Sequence, residues 1–168
     1  GVNPHAYVKL LAAGKVKEAF DVIYQAMPFA GICGRVCHHP CETECYRGKL
    51  MVEPVSICAL KRYISDEYYA GHYTVNESAG EKEPPSLPEP RTEKVAIVGA
   101  GPAGLTCARD LAALGYPVTI FDSSDEGGGM VRRVIPDYRL PYDLVKREVD
   151  AILQKGVEFL SKTKVGKA

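Results

Sequence analysis

KVAIVGAGPAGLTCARDLAALGYPVTIFD, running from Lys94 to Asp122, decides the fold. Lys94 to Val98 is a short apolar run that stops at a glycine, as a buried strand does. Ala103 to Leu114 then carries Leu105, Ala108, Leu111 and Ala112 at helical spacing, and Pro117 to Phe121 reads as a second strand reached through a turn at Gly115. Between strand and helix stands Gly99-Ala100-Gly101-Pro102-Ala103-Gly104, a GxGxxG loop. Gly99 permits the tight turn, Gly101 lets the backbone approach a pyrophosphate, and Gly104 lets the helix pack closely on the strand. The helix N-terminus then faces the phosphates, while Asp122, ending the second strand, can accept hydrogen bonds from ribose hydroxyls. This is the first half of a dinucleotide-binding Rossmann unit.

Working toward the C-terminus, Tyr142 to Lys155 is helical with Val145, Val149, Ile152 and Leu153 on one face. Gly156 stops it, and Val157 to Leu160 is a third strand. Residues 94–168 therefore form a Rossmann-like βαβαβ half domain with a parallel sheet. Cys107, on the helix after the glycine loop, is expected to be a small core residue.

Working toward the N-terminus, ESAGEKEPPSLPEPR, Glu77 to Arg91, contains four prolines and no apolar face, so residues 76–93 are expected to be an extended linker. Residues 1–75 read as helical. Asn3 can cap a helix with Pro4 at its first position and Gly14 at its end. Val16, Ala19, Phe20, Ile23, Tyr24 and Met27 then recur at helical spacing until Pro28. After a cysteine-rich turn region from Gly31 to Gly48, Ser56 is expected to cap a third helix reaching about Tyr69, with Ile57, Leu60, Ile64 and Tyr68 inward. Three short helices bury little core, so a metal staple is expected. The fold class is α/β: an N-terminal α-helical module followed by the Rossmann-like half domain.

The bulk composition excludes several functions. With 21 Lys+Arg against 21 Asp+Glu, no net field draws the chain to nucleic acid or anionic lipid. Apolar runs such as Val95 to Ala100 are far short of the roughly 20 residues of a membrane span. No basic, apolar leader opens the sequence, so a cytoplasmic location is expected.

Cys33, Cys37, Cys41 and Cys45 are spaced CxxxCxxxCxxxC within ICGRVCHHPCETEC. Residues four apart share a helical face, so neighbouring pairs can converge on one metal centre, although Gly34 and Pro40 argue against one continuous helix. Close thiolates suit either a [4Fe-4S] cluster or tetrahedral zinc, and this spacing matches neither bacterial ferredoxin nor zinc ribbon. Spacing leaves the metal open. His38 and His39 read as solvated side chains, and Cys58 as a buried thiol.

GAGPAGL from Gly99, GGM from Gly128 to Met130, and IPDYRLP from Ile135 to Pro141 together resemble the FAD-binding domain of the glutamate synthase small (β) subunit family. That family also includes the N-terminal part of dihydropyrimidine dehydrogenase and related NAD(P)H-dependent iron–sulfur flavoproteins. CGRVC, then PCE, a further cysteine and PVSICALKRY, look like the α-helical ferredoxin domain that precedes the flavin domain there. The resemblance spans nearly the whole chain. It implies that Gly99, Ala100, Gly101, Pro102, Ala103 and Gly104 hold the FAD pyrophosphate and Asp122 the ribose. Gly128, Gly129 and Met130 would pass the flavin, and Arg139 would contact phosphate. It also selects iron over zinc, with Cys37, Cys41 and Cys45 as [4Fe-4S] ligands and Cys33 at a position that some relatives fill with a non-ligating cysteine.

Three departures from the family pattern accompany these matches. The upstream cysteine string of relatives is absent. Lys61 and Arg62 occupy the region from which some relatives take a non-cysteine ligand. Gly127 adds one glycine to the usual pair, which is expected to loosen that loop. The implied function is electron passage between NAD(P)H, FAD and iron–sulfur clusters toward a redox partner subunit or domain, with no protein nucleophile required. This chain by itself is expected to be inactive. The alternative is a docking module organised by zinc or free thiols beside a nucleotide-binding half domain.

Overall fold

The computed structural model describes residues 1–50, 53–71 and 91–166. The stretch expected to form the linker lies outside the described residues except for its last few positions. The chain divides into two compact units, Gly1–Ser78 and Ala79–Ala168.

The first unit opens with α1, Pro4–Ala12, whose cap is the expected one: Asn3 Oδ1 accepts the Ala6 N–H at 3.1 Å, with Pro4 at the first position. Gly14 follows at φ +74°. Helix α2, Val16–Ala26, turns Ala19, Phe20 and Ile23 inward. The cysteine-rich region is helical rather than a turn: α3 spans Ala30–Val36, α4 Pro40–Thr43 and α5 Tyr46–Leu50. Helices this short do not persist through local propensity. Packing sustains α3, whose Ala30, Gly31, Ile32 and Gly34 are all buried.

Its main neighbour is α6, Ile57–Ala70, and the two backbones nearly touch, since a Cβ on Gly34 would lie 2.8 Å from Arg62 Cα. Arg35 pins the same pair, reaching Asp66 Oδ1 at 2.6 Å. Tyr7, Ala19, Phe20, Ile23, Ala30, Ile64 and Tyr68 make the core, within which Phe20 and Tyr68 stack at 3.7 Å between ring centroids. Burying a side chain such as Phe20, Ile23 or Ile64 is worth roughly 1.5–3 kcal/mol.

Ser56 precedes α6 as expected but makes no side-chain cap bond. Glu42 of α4 takes that role, its Oε1 accepting the Cys58 N–H at 2.7 Å. A carboxylate satisfies a free first-turn amide and complements the positive end of the helix better than a hydroxyl. The sequence could not show which acid would arrive there.

The second unit contains β1 (Val95–Val98), α7 (Pro102–Ala113), β2 (Val118–Phe121), α8 (Met130–Arg133), α9 (Tyr142–Leu153) and β3 (Glu158–Leu160). The strands are parallel in the order β1-β2-β3, with Val95 opposite Val118 and Thr119 opposite Glu158. Each crossover carries a helix, and α7 packs on α9, with Leu105 and Ala108 of the one and Val145, Val149 and Ile152 of the other buried.

Cys107 departs from expectation: it is exposed, not core. Successive helix residues turn by about 100°, so two positions beyond the buried Leu105 the side chain points almost directly away from the sheet. The long side chain of Arg109 is buried instead, with its guanidinium 2.6 Å from Asp110 Oδ1. The one-turn α8 was not legible in the sequence. It begins where Gly129 takes φ +56°.

Candidate functional site

The glycine loop leaves β1 and enters α7 with a division of labour among its glycines. Gly99 adopts φ +101°, which an L side chain resists. Gly104 is required by space, because a Cβ there would lie 2.1 Å from Gly99 O and 3.2 Å from Ile97 Cγ2. Gly101 answers neither need. Its φ of −78° suits any residue, and a Cβ on it would meet nothing within 4 Å. It caps α7 without any side-chain bond to the first-turn amides, and Pro102 follows at the first position. The open space above Gly101 and the uncapped amides behind it form an anion-receiving end.

Asp122 reaches this loop directly. Its Oδ2 accepts the Ala100 N–H at 2.6 Å and its Oδ1 the Ser124 N–H at 2.7 Å. Burial alone would raise the carboxyl. The Ser124 hydroxyl, these two amides and the nearby Arg133 outweigh it and hold the group below its usual range. Each carboxylate oxygen keeps a lone pair after one amide bond, so the loop tie and a ribose hydroxyl can be served together. The tie to Ala100 is a second role that sequence reading missed, whereas the Asp-x-Ser turn at 122–124 is a recognisable Asx signal.

The glycine triple completes the site. The Gly128 N–H donates to Ala100 O at 2.7 Å, so the second loop is bonded to the first. The added glycine does not loosen it. A Cβ on Gly127 would lie 2.9 Å from Val149 Cγ1, one on Gly128 3.1 Å from both Val145 Cγ1 and Arg132 Cβ, and one on Gly129 2.9 Å from Gly101 Cα. Packing closes Gly127 and Gly129, and Gly128 takes φ +119°, which an L side chain resists. Met130 stands 68% exposed at the edge. The structure thus gathers Gly99 to Gly104, Asp122, Gly128 and Gly129 into one place. Arg139 is exposed, with its N–H bonded to Pro136 O, and makes no hydrogen bond or ion pair with the glycine loop.

The cysteines are arranged less tightly. Cys33 rides on α3, Cys37 caps its C-terminal end, Cys41 is in α4 and Cys45 precedes α5. The chain breaks between Cys37 and Cys41 where His39 takes the left-handed conformation at φ +44° ahead of Pro40, so the four do not share one helical face. Among the described residues, no three His, Cys, Asp or Glu side chains stand close enough to hold a single metal ion.

The sulfurs nonetheless have thiolate surroundings. The His39 N–H donates to Cys37 Sγ at 3.3 Å. The Val55 and Gly48 amides lead in holding the Cys45 thiol below its usual value, against a smaller opposing effect of burial and with help from Arg47. Main-chain N–H groups aimed at sulfur are what an iron–sulfur ligand set uses to spread its charge. Cys58, half-buried on the first turn of α6, points its thiol at Gly34 O (3.4 Å). Burial pushes that thiol up, as do the neighbouring Cys37, Glu42 and Cys41, against Lys61. Cys58 therefore lies in the electrostatic field of the junction. Thiolates of this kind are the donors of both iron–sulfur clusters and zinc, and their arrangement alone favours neither.

Residues 1–72 match the family model for dihydropyrimidine dehydrogenase domain II, 4Fe-4S cluster, and residues 97–144 match an NAD(P)-binding Rossmann-like domain. Similar proteins include the NADPH-Fe(3+) oxidoreductase subunit beta of Geobacter sulfurreducens, 44% identical over 96% of this chain and 23% of its own length. The NADP(+)-dependent formate dehydrogenase subunit beta of Moorella thermoacetica is 39% identical over 96% of this chain and 24% of its own. The glutamate synthase [NADPH] small chain of Bacillus subtilis is 34% identical over 94% and 30%. The chain is thus similar over nearly its whole length to a glutamate synthase small chain and to oxidoreductase beta subunits. The 4Fe-4S match falls in the first unit and the Rossmann-like match in the second. The chain spans about a quarter of the length of the first two relatives. None of these matches supports the zinc- or thiol-organised docking alternative, since the matched domain is described by its 4Fe-4S cluster. Among the described residues, no helix is long and apolar enough to cross a membrane.

Proposed function

We propose that this chain belongs to an NAD(P)H-dependent oxidoreductase in which FAD occupies the glycine-loop site and [4Fe-4S] clusters are held through the cysteine segment. Such cofactors, when bound, supply hydride and single-electron chemistry, leaving binding and orientation to the protein. The observation that carries this reading is Gly101, a glycine with no intramolecular reason to be one. Its missing side chain leaves room for a pyrophosphate against the uncapped first turn of α7.

Gly99 to Gly104 cradle that pyrophosphate, with N–H groups offered by Gly101, Ala103 and Gly104. Pro102 has none, and those of Gly99 and Ala100 are bonded to Phe121 O and Asp122 Oδ2. The ionised Asp122 accepts from the ribose. Gly128, Gly129 and Met130 border the flavin, and Arg139 reaches a phosphate. Cys37, Cys41 and Cys45 ligate iron, with Cys33 beside them. The enzyme works in the cytoplasm and exchanges electrons with a partner subunit or domain, in keeping with relatives named as subunits. The 168-residue chain alone, with a single glycine-rich βαβ unit, is expected to oxidise no NAD(P)H.

The test is Gly101→Val in the intact protein. A Cβ there meets nothing within 4 Å, and exchanging a glycine for valine at the helix cap costs roughly 1 kcal/mol, so the fold should survive while bound flavin is lost. Full flavin content in the variant would refute the placement. Anaerobic purification tests the rest, iron with acid-labile sulfide being expected, and stoichiometric zinc without sulfide ruling the cluster out.

A further inference from the structure

Arg133 ends the one-turn helix α8 with its side chain exposed, and its guanidinium donates to Ser124 Oγ. That contact closes a ring. The Ala100 N–H donates to Asp122 Oδ2 at 2.6 Å, and Asp122 Oδ1 accepts the Ser124 N–H at 2.7 Å. From Ser124 the ring runs through Arg133, whose own N–H donates to Gly129 O at 3.2 Å, and returns by the Gly128 N–H to Ala100 O at 2.7 Å. The glycine loop, the carboxylate at its rim and the glycine triple are thereby joined in one circuit. Arg133 lies between GGM and IPDYRLP and belongs to neither motif.

Folding of the turn does not require this arginine. Main-chain bonds already hold the back of residues 122–124, the Thr163 N–H donating to Asp122 O at 2.8 Å and the Lys162 N–H to Ser124 O at 2.7 Å. An exposed polar contact adds little to stability. What the contact does fix is the Ser124 hydroxyl. A guanidinium can only donate, so the Ser124 oxygen accepts from it and the O–H is left to point at the Asp122 carboxylate. Burial raises the Asp122 carboxyl, but the Ser124 hydroxyl, the two amides and then Arg133 lower it, so the acceptor stays ionised.

We propose that Arg133 is a positioning residue of the nucleotide site: by holding Ser124 it aims the Asp122 carboxylate at the ribose hydroxyls of the bound dinucleotide. This rests on the FAD reading above. An acceptor held in place before the ligand arrives gains affinity, because less freedom is lost on binding.

The test uses the intact protein, stripped of flavin and titrated with FAD. Arg133→Ala and Ser124→Ala should each weaken binding by about tenfold, the size of a lost hydrogen bond to a charged group, with thermal unfolding of the flavin-free protein unchanged. The double variant should bind no more weakly than either single one, because the two side chains act as one link. The preference for FAD over its 2′-deoxyadenosine analogue should shrink in both, and Arg133→Lys, which can still donate to Ser124, should recover most of it. Unchanged affinity and unchanged preference in Arg133→Ala overturn the proposal and leave the FAD reading standing. Losses that add in the double variant overturn it too, since Arg133 would then touch the ligand itself. Wild-type protein that neither carries nor takes up FAD removes the reading and this inference with it.

Discussion

The glycine loop and the cysteine segment are both binding sites, yet they are built in opposite ways. At the glycine loop the polypeptide itself is the site. Gly99, Gly104, Gly127, Gly128 and Gly129 are each explained by a positive φ or by a neighbouring atom within 3.1 Å of a would-be Cβ. Asp122 and the Gly128 N–H then tie the two loops through Ala100. At the cysteine segment the site consists of side-chain sulfurs carried on successive short helices, with no three ligands gathered for a metal ion among the described residues. Backbone geometry is determined on folding, whereas a thiolate cage is completed by the metal that joins it, whose binding energy is part of the folding energy. The first kind of site stands ready without its ligand, and the second waits for it.

The strongest challenge to that contrast is Phe20→Ala. If α3 to α5 depend on the core beneath them rather than on local propensity, deleting the ring stacked on Tyr68 should cost roughly 3–5 kcal/mol. Alkylation of Cys33 and Cys37 should accelerate in parallel. A variant that loses stability yet leaves both thiols as slow to react as before would show that the segment is locally held.

Gly104→Ala probes the other side. Its Cβ would sit 2.1 Å from Gly99 O, so the backbone must move, at a cost of about 1–3 kcal/mol or more. Flavin binding should vanish with it. Chemical denaturation checks the first effect and cofactor release the second, and retention of both would mean that the loop can be rebuilt around a methyl group.

The smallest effect concerns pH. The Asp122 carboxyl is depressed in the folded protein, so its contribution to stability is present above its ordinary value of 3.8 and fades as pH falls from there through the lower folded value. Asp122→Asn should flatten the stability profile of the second unit below about pH 4 and leave the slope near neutrality unchanged. An identical acid limb in wild type and variant would show that Asp122 does not hold the loop by charge.

Much of this was legible in advance. The cap at Asn3, the stripe of α2, the three strands and the glycine loop all follow from short-range rules about φ, period and apolar spacing. The misreadings have one origin. Ser56 occupies the proper position for a cap but loses the task to Glu42, 16 residues away. The Gly31 to Gly48 stretch looked irregular because its helices are too short to announce themselves, and Gly34 reveals its purpose only beside Arg62. Cys107 sits beside an apolar stripe, but the next two residues, Ala108 and Arg109, take the inward places and leave it exposed. Tyr7 gives no local sign that its hydroxyl ends buried without a partner among the described residues.

By itself the sequence determined the order of elements, the parallel βαβαβ unit, the nucleotide loop with Asp122 at its rim, and the cysteine string. These depend on backbone freedom and on residues a few positions apart, which a linear reading can see. The tertiary structure alone decided that the glycine triple is closed to side chains, that Asp122 ties the loop through Ala100, and that Glu42 of α4 meets the first turn of α6 at Cys58. Such facts depend on atoms brought within a few ångströms by packing, and no spacing along the chain encodes them.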